Sequence, residues 1–587
     1  METGHRRPVG RGVDRPLPHH RAGRLQRDFC HGLLVPVSLG HNTGAETACA
    51  RMSARRVRRD LHQRPRAPRV DIATVPSTDQ PVGRLDVRRT YILPLVAGAL
   101  GFCVLVTLNS GGYHYGVSDQ AFYIPVVLDE MDPRLFPHDG ALIAAQDRFL
   151  LFDDWFAPLV RTSGMSLPAA FLTSQVVTLL VLYGALIGLG VAVYRSWWTV
   201  GALLALVTVR HRIPDTGANS VEGYFHPRML AFALGLSATA LYLAGRSRLA
   251  LGIVVVAILV HPTIGFWFAI MVGGAAVLSG GVAPKTLLGW SVPAILAGVV
   301  TLGGPLREQL VVMDPAWLRL LVEYKDYLVV PGWPLSAWLS NLGIAALVFG
   351  LYRYRQSLGV TSRREGALIG GCALLLGVFL VSAVFSYGSV ALAVQLQVNR
   401  VFWLMDYVGV LLLAWLLVEG PWRAGGVDSG RRVAPRRALV AVIVLLAVCR
   451  GGYRGFIERP ERPVLQVGFE NSDWNHLMVW AATQPVGTHF LADPVHAARY
   501  GTSVRAASGR DVYLELIKDS ALAIYSPDIA SRVAERVEAI GHFNELTVER
   551  AGVLARQYAL DYLITEQHLD LPVANQAGPL LVYVLGP

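Results

Sequence analysis

A chain of 587 residues with 53% hydrophobic and only 16% charged side chains is too apolar for a soluble globular protein, in which about a quarter of the residues are charged. The deficit lies in long apolar runs, so the composition points to a polytopic α-helical membrane protein. The net charge of +11 does not point to nucleic acid: residues 1–90 hold 18 Arg, no Lys and 8 acidic residues, while the rest is nearly neutral with 35 basic and 34 acidic residues, so the basic excess belongs to a tail and no nucleic-acid partner is expected.

In chain order, residues 1–89 come first, rich in Arg, Pro, Gly and His and without apolar periodicity. They read as a disordered basic tail and lack the apolar core of a secretory signal. Two readings stay open, a cytoplasmic tail or a stretch upstream of a true start such as Met52 (Met-Ser-Ala-Arg-Arg); the second is preferred.

A spanning helix needs about 20 mostly apolar residues. Eleven segments are candidates: 91–109, 168–194, 197–210, 228–244, 249–262, 263–280, 286–303, 335–352, 367–386, 401–419 and 438–450. Leu249–Leu278 reads either as one long helix or as two short ones broken at His261-Pro262, because proline removes a helix hydrogen bond. Charge decides between them, since cytoplasmic loops carry the excess of Arg and Lys. With the break, the clusters Arg353, Arg355, Arg363, Arg364 and Arg423, Arg431, Arg432, Arg436, Arg437 all face the cytoplasm; without it both clusters flip outside. The expected topology is therefore about eleven spans within residues 90–450, with the N-terminus cytoplasmic and the first span an uncleaved signal anchor. The outer segments are then 110–167, 211–227, 304–334 and the end of the chain from 451. The Arg-rich usage, with Lys285, Lys325 and Lys518 the only lysines, suggests a GC-rich bacterial genome and so a plasma (inner) membrane.

Residues 451–587 are long enough for a domain with its own core. Trp474–Ala482, 527–541 and 547–558 have helical spacing, while Thr488–Asp493, Leu560–Thr565 and Leu580–Leu585 read as strands. That alternation predicts a soluble extracytoplasmic α/β domain. Glycine-rich phosphate loop, nucleophile elbow and zinc motif are all missing from it. It also has no cysteine, the five of the chain being Cys30, Cys49, Cys103, Cys372 and Cys449, so it reads as a binding or structural domain.

The first outer loop, 110–167, carries most of the candidate chemistry. It contains Gly112-Tyr-His-Tyr-Gly-Val-Ser-Asp-Gln-Ala-Phe-Tyr-Ile-Pro125 and Leu128-Asp-Glu-Met-Asp-Pro-Arg-Leu-Phe-Pro-His-Asp139, followed by Asp147, Asp153 and Asp154. A carboxylate near the membrane surface can serve as a general base or hold a divalent cation through oxygen. Asp119 is best placed, about ten residues beyond the first span and among aromatics; Asp129 and Glu130 are the next candidates. The second cluster is Arg210 and Arg212 with Glu222, His226 and Arg228, where guanidinium forks match phosphate oxygens, although an interfacial Arg also snorkels to ordinary headgroups. His261 between two short helices and Arg400 after Gln395-Leu-Gln397-Val-Asn399 are costly at membrane depth, which marks them as candidate substrate-binding groups.

This layout resembles the GT-C glycosyltransferases, membrane enzymes that use polyprenyl-phosphate-linked sugars. The resemblance covers about residues 90–587. It rests on the cytoplasmic N-terminus, the acidic first loop, the number of spans and the closing α/β segment. Ser118-Asp-Gln-Ala-Phe-Tyr-Ile-Pro125, Asp132-Pro-Arg-Leu-Phe-Pro-His-Asp139, Phe225-His-Pro-Arg-Met-Leu230 and Gln395-Leu-Gln-Val-Asn-Arg400 are similar to segments of uncharacterised bacterial members. The sequence departs from the best-known members, whose first loop holds an adjacent acidic pair, because Gln120 follows Asp119. The acidic pairs come later, at Asp129-Glu130 and Asp153-Asp154. The Trp-Trp-Asp motif of the oligosaccharyltransferase branch is missing.

The resemblance implies a sugar donor carried on polyprenyl phosphate, its phosphate held by outer-face Arg residues. A first-loop carboxylate is then the base toward a glycan or protein acceptor, with inversion at the sugar. Some members use a divalent metal such as Mg or Mn; the sequence leaves that open. Two rivals remain: a non-catalytic glycan- or lipid-binding protein of the same fold, and a transporter or flippase, against which the lack of an internal repeat counts.

Overall fold

The computed structural model describes residues 92–147, 151–280, 306–420 and 433–586. The basic tail and the span expected at 286–303 lie outside them. Among the described residues, five helices are long and apolar enough to cross a membrane: Leu167–Val193, Leu335–Ser357, Arg363–Tyr387, Ala391–Val418 and Pro435–Ile457. Five shorter apolar helices, Leu93–Asn109, Trp197–Thr208, Pro227–Leu243, Ser247–Val260 and Pro262–Leu278, fall on the other expected spans within the described residues. Leu93, Val384, Phe385, Leu445 and Leu446 are all more than half exposed on these helices. An all-apolar outer face of this kind is stable against hydrocarbon, not water.

The helices that position the site run as follows. α1 (Ile92–Asn109) leads through β1 (Tyr113–His114) into α2 (Gln120–Met131). α3 (Leu167–Val193) and α4 (Trp197–Thr208) precede a short hairpin, β2 (Arg212–Ile213) with β3 (Ala218–Asn219). Then come α5 (Pro227–Leu243), α6 (Ser247–Val260), α7 (Pro262–Phe268), α8 (Leu335–Ser357), α9 (Arg363–Tyr387), α10 (Val401–Val418) and α11 (Val433–Gly452). The apolar interior is built from aromatic contacts such as Phe232 stacked on Trp403 at 3.9 Å between centroids. Small residues let backbones meet: a Cβ on Gly371 would come 2.2 Å from the Met271 carbonyl oxygen, the close approach that membrane helices use.

The break at His261-Pro262 is real. His261 is extended (φ −154°), its ring Nδ1 accepts from the Ile264 amide at 3.4 Å, and Pro262 opens α7. His226-Pro227 starts α5 in the same way, with Nδ1 accepting from the Arg228 amide at 3.1 Å. Proline suits this first helical position, where its missing N–H would be unsatisfied anyway.

Beyond α11, β4 (Leu465–Gln466) pairs in parallel with β1. α12 (Asp473–Ala482), β5 (His489–Leu491), β6 (Asp511–Val512), α13 (Leu516–Leu522), α14 (Pro527–Ile540), α15 (Val548–Tyr558), β7 (Tyr562–Thr565), β8 (Val573–Ala577) and β9 (Leu580–Val584) follow. The five-stranded sheet has the order β6-β5-β7-β9-β8, with β5 parallel to β6 and β7 and the other pairs antiparallel. Side chains alternate across it: Phe490, Ile564 and Val582 pack on the α12 side with Trp474, whereas Leu491, Leu563 and Leu581 pack with Val533 of α14 and Leu554 of α15. Strands buried on both faces explain the nearly continuous apolar runs.

Candidate active site

Asp119 stands at the start of α2, one residue after Ser118, which takes the left-handed conformation (φ 53°). Its carboxylate does not cap its own helix. It turns instead toward three cationic or donor groups from distant segments: Lys518 Nζ of α13 at 3.0 Å on Oδ1, and His226 Nε2 at 3.2 Å and Arg228 Nη2 at 3.7 Å on Oδ2. The side chain keeps 26% exposure. Burial opposes the charge, but Lys518, His226 and Arg228 together hold the carboxyl well below its ordinary range, so Asp119 is ionised at any physiological pH.

His226 is neutral, because burial and then Arg228 pull it down to about 4. Its Nδ1 is engaged as the acceptor that caps α5, so the proton sits on Nε2 and is donated to Asp119. His261 presents the same tautomer by the same device and lies in electrostatic reach of Arg400, His226 and Arg228.

Gln120 has a structural task. Its Oε1 accepts from the Gly116 amide at 2.8 Å and its Nε2 donates to the Phe225 carbonyl at 3.1 Å. It thereby ties the turn before Asp119 to the residue before His226. A carboxylate at 120 would lose the donation to Phe225 and meet a carbonyl oxygen instead, which gives a physical reason why no acidic pair stands at 119–120.

Arg228 also pairs with buried Glu222 at 3.0 Å, which accepts from Asn219 Nδ2 at 3.2 Å and faces Arg210 at 3.6 Å. The Gln395–Arg400 run supplies the far side. Gln395 Nε2 donates to Gln309 and the Ile524 carbonyl, Gln397 to Tyr525 Oη, and Asn399 to the Asp215 and Tyr327 carbonyls. Four buried atoms here have no hydrogen-bond partner: Arg228 Nε, Arg400 Nε, Gln397 Oε1 and Asn399 Oδ1. Buried polar atoms are nearly always paired, so these four are open to a further polar partner.

Lys325, also buried, donates to the Ile517 carbonyl at 2.8 Å. Burial first, then the neighbouring Lys518, draws it down to about 8. Lys518 and Arg228 thus contact Asp119 directly and Lys325 reaches it electrostatically, while Arg400 lies in reach of Arg228 and the Tyr327, Tyr525 and Tyr123 rings, a concentration of cations suited to an anion.

Of the residues singled out from the sequence, Asp119, His226, Arg228, His261 and Arg400 come together, with Arg210 at the edge against Glu222. Arg212 lies exposed on the β2–β3 hairpin. Asp129 is half-buried and Glu130 exposed at the far end of α2, about 15 Å along the axis from Asp119 at 1.5 Å per residue. Lys518 and Lys325 were not among the sequence candidates; their scarcity, three lysines among 53 basic residues, is the signal that could have found them.

No protein-family model matches the sequence, and comparison with curated proteins finds no match. Solved structures with a similar chain path include the apo oligosaccharyltransferase of Archaeoglobus fulgidus, 13% identical, covering 81% of this chain and 70% of that one with a TM-score of 0.42. The arabinofuranosyltransferase AftD from Mycobacteria is 14% identical, covering 84% of this chain and 36% of that one at 0.40. The oligosaccharyltransferase AglB from Archaeoglobus fulgidus, in complex with an inhibitory peptide and a dolichol-phosphate, is 14% identical, covering 81% and 69% at 0.33.

Proposed function

We propose that this chain is a GT-C-type membrane glycosyltransferase. It moves a sugar from a polyprenyl-phosphate donor to a glycan or protein acceptor on the extracytoplasmic face of the plasma membrane, its N-terminus cytoplasmic and its C-terminal α/β region outside. The observation that carries this reading is the carboxylate of Asp119 held between Lys518, His226 and Arg228, with unpartnered donors on Arg228 and Arg400 nearby.

In this mechanism the donor phosphate lies against Arg228 and Arg400, with Arg210, His226 and His261 at its margin. The acceptor hydroxyl attacks the anomeric carbon from the opposite face. The carbon–oxygen bond to phosphate breaks, its electron pair stays on the lipid phosphate, and the configuration inverts. Asp119 takes the hydroxyl proton. So strongly ionised a carboxylate is a weak base, so proton transfer comes late, once the new bond has made the hydroxyl acidic. The leaving phosphate gains negative charge as it departs, and fixed cations stabilise that charge more than the ground state. Asp129 and Glu130 are then too far away to act as the base.

The test is transfer of radiolabelled sugar from polyprenyl-phosphate donors by purified protein in detergent. Asp119→Asn is expected to lose about 10²–10⁴-fold in turnover while melting within a few degrees of wild type. Full activity in that variant would remove Asp119 as base.

A further inference from the structure

Resting on the transferase reading of the same site, we infer that the Lys518 ammonium stands where a divalent metal would stand beside Asp119. On this inference the reaction is metal-independent and Lys518 is the positioning residue for the base. Three observations carry it.

The donor set does not suit a hard cation. Magnesium and manganese want several oxygen ligands, usually one or two carboxylates with water and substrate oxygens. Among the described residues, no group of three or more His, Cys, Asp or Glu is arranged to hold a metal. Asp119 has both oxygens already turned to Lys518, His226 and Arg228. Glu222 is occupied by Arg228, Asn219 and Arg210. A divalent ion would have to displace these partners while remaining close to Arg228 and Arg400.

Lys518 is held in place from both ends. Its helix, α13, begins where the Glu515 amide donates to Asp519 Oδ2 at 3.0 Å, and Asp519 is gripped by Arg505 through two bonds of 2.6 and 3.1 Å. The carbonyl of Ile517, the residue just before Lys518, accepts from Lys325 at 2.8 Å. The ammonium then packs 5.5 Å above the Phe122 ring and reaches Asp119 at 3.0 Å. A lysine whose backbone is braced by another buried lysine is a built part of the site, not a surface charge that swung in.

The chemistry fits the place. A single ammonium supplies the fixed positive charge that would otherwise come from a metal, and it keeps Asp119 unprotonated without offering an open coordination site. With Lys518 removed, the proton affinity of Asp119 rises because its nearest cation is gone.

The experiment has two readouts on the full-length protein in detergent. In the first, without donor, Mn²⁺ is titrated and the free ion followed by electron paramagnetic resonance. Wild type is expected to leave the ion free up to about 1 mM, the weak end of protein sites for hard cations. A stoichiometric bound ion that disappears in Asp119→Asn overturns the inference. In the second, turnover is measured with EDTA and across pH for wild type, Lys518→Met and Lys518→Arg. Expected are insensitivity to EDTA, an acid limb that moves toward neutral pH in Lys518→Met, and restoration of the wild-type limb by Lys518→Arg. An unmoved limb in a Lys518→Met protein that melts like wild type also overturns it. If wild type turns over no lipid-phosphate sugar at all, the transferase reading fails, and the Mn²⁺ titration still decides the metal question.

Discussion

Two carboxylates of the segment between α1 and α3, Asp119 and Asp139, lie twenty positions apart, and each meets a cation from the C-terminal region. They are built to opposite ends. Asp139 is fully buried and accepts from Arg505 Nε at 2.7 Å, from Arg532 and from the Val512 amide at 3.1 Å. Arg505 spends further donors on Asp519 and the Val512 carbonyl, so Asp139, Arg505 and Asp519 close on one another. At Asp119 the network does not close: cations outnumber carboxylates, and Arg228 Nε, Arg400 Nε and two amide oxygens stay unpaired. Adjacent residues of α13, Lys518 and Asp519, feed the two clusters. A closed polar network rigidifies a contact, whereas an open one costs stability unless something fills it. The loop is thus clamped to the sheet at Asp139 and left available at Asp119.

The strongest way to break this contrast is Asp139→Ala. It leaves buried Arg505 with Asp519 as its bonded carboxylate and takes from Arg532 its buried partner, and losing one partner of a buried pair costs about 3–5 kcal/mol. A large drop in melting temperature is expected, larger than for Asp119→Asn. Equal melting of Asp139→Ala and wild type would remove the clamp.

Next in size is Glu515, at the edge of the clamp. It is 1% exposed, 3.7 Å from Arg505 and 4.0 Å from His496, with the Ser503 hydroxyl beside it. Burial pushes it up to about 7, with Arg505 acting against the shift. The folded protein therefore holds a proton that the unfolded chain releases between its ordinary value and about pH 7. Stability from this group is complete at low pH and falls as pH rises through that window. Glu515→Gln should remove the slope and melt higher than wild type at pH 8, by the equivalent of about 1–3 kcal/mol, with the difference gone near pH 4. A pH-independent gap between the two proteins would show that Glu515 does not titrate there.

Legibility in the sequence follows the range of the interaction. Apolar runs mark the spans, since hydrocarbon selects composition directly, and His226-Pro227 and His261-Pro262 mark helix starts because proline acts on its own backbone. Asp119, His226, Arg228, His261 and Arg400 stood out as charge or imidazole next to apolar runs. Lys518 did not, because its partner Asp119 is 399 positions away and nothing local on α13 sets it apart. The two-residue strand β6 is too short to leave a period. Asp129 and Glu130 are adjacent in sequence and so look like a pair, but the length of α2 separates them from Asp119. Gln120 looked like a lost acid, and its role became visible only with Gly116 and Phe225 on either side of it.

The smallest expected effect is the most discriminating. Arg400 opens α10 with its Nε unpaired and no carboxylate bonded to it, while Arg228, also in the gap, has Glu222. Met is close to Arg in length and carries no charge. Arg400→Met therefore removes a buried cation with no bonded carboxylate, which is neutral or stabilising, whereas Arg228→Met takes from buried Glu222 its 3.0 Å partner, leaving Asn219 and Arg210, and destabilises. If the open cluster exists to hold an anion, Arg400→Met must also weaken binding of a short-chain polyprenyl phosphate about tenfold, or ~1.4 kcal/mol. The measurement is a pair of numbers on one variant, melting temperature and dissociation constant. A protein that melts at or above wild type and binds more weakly identifies a group whose cost in the empty fold is recovered only with ligand. A protein that melts lower and binds unchanged makes Arg400 part of the scaffold, and the difference between the two clusters disappears.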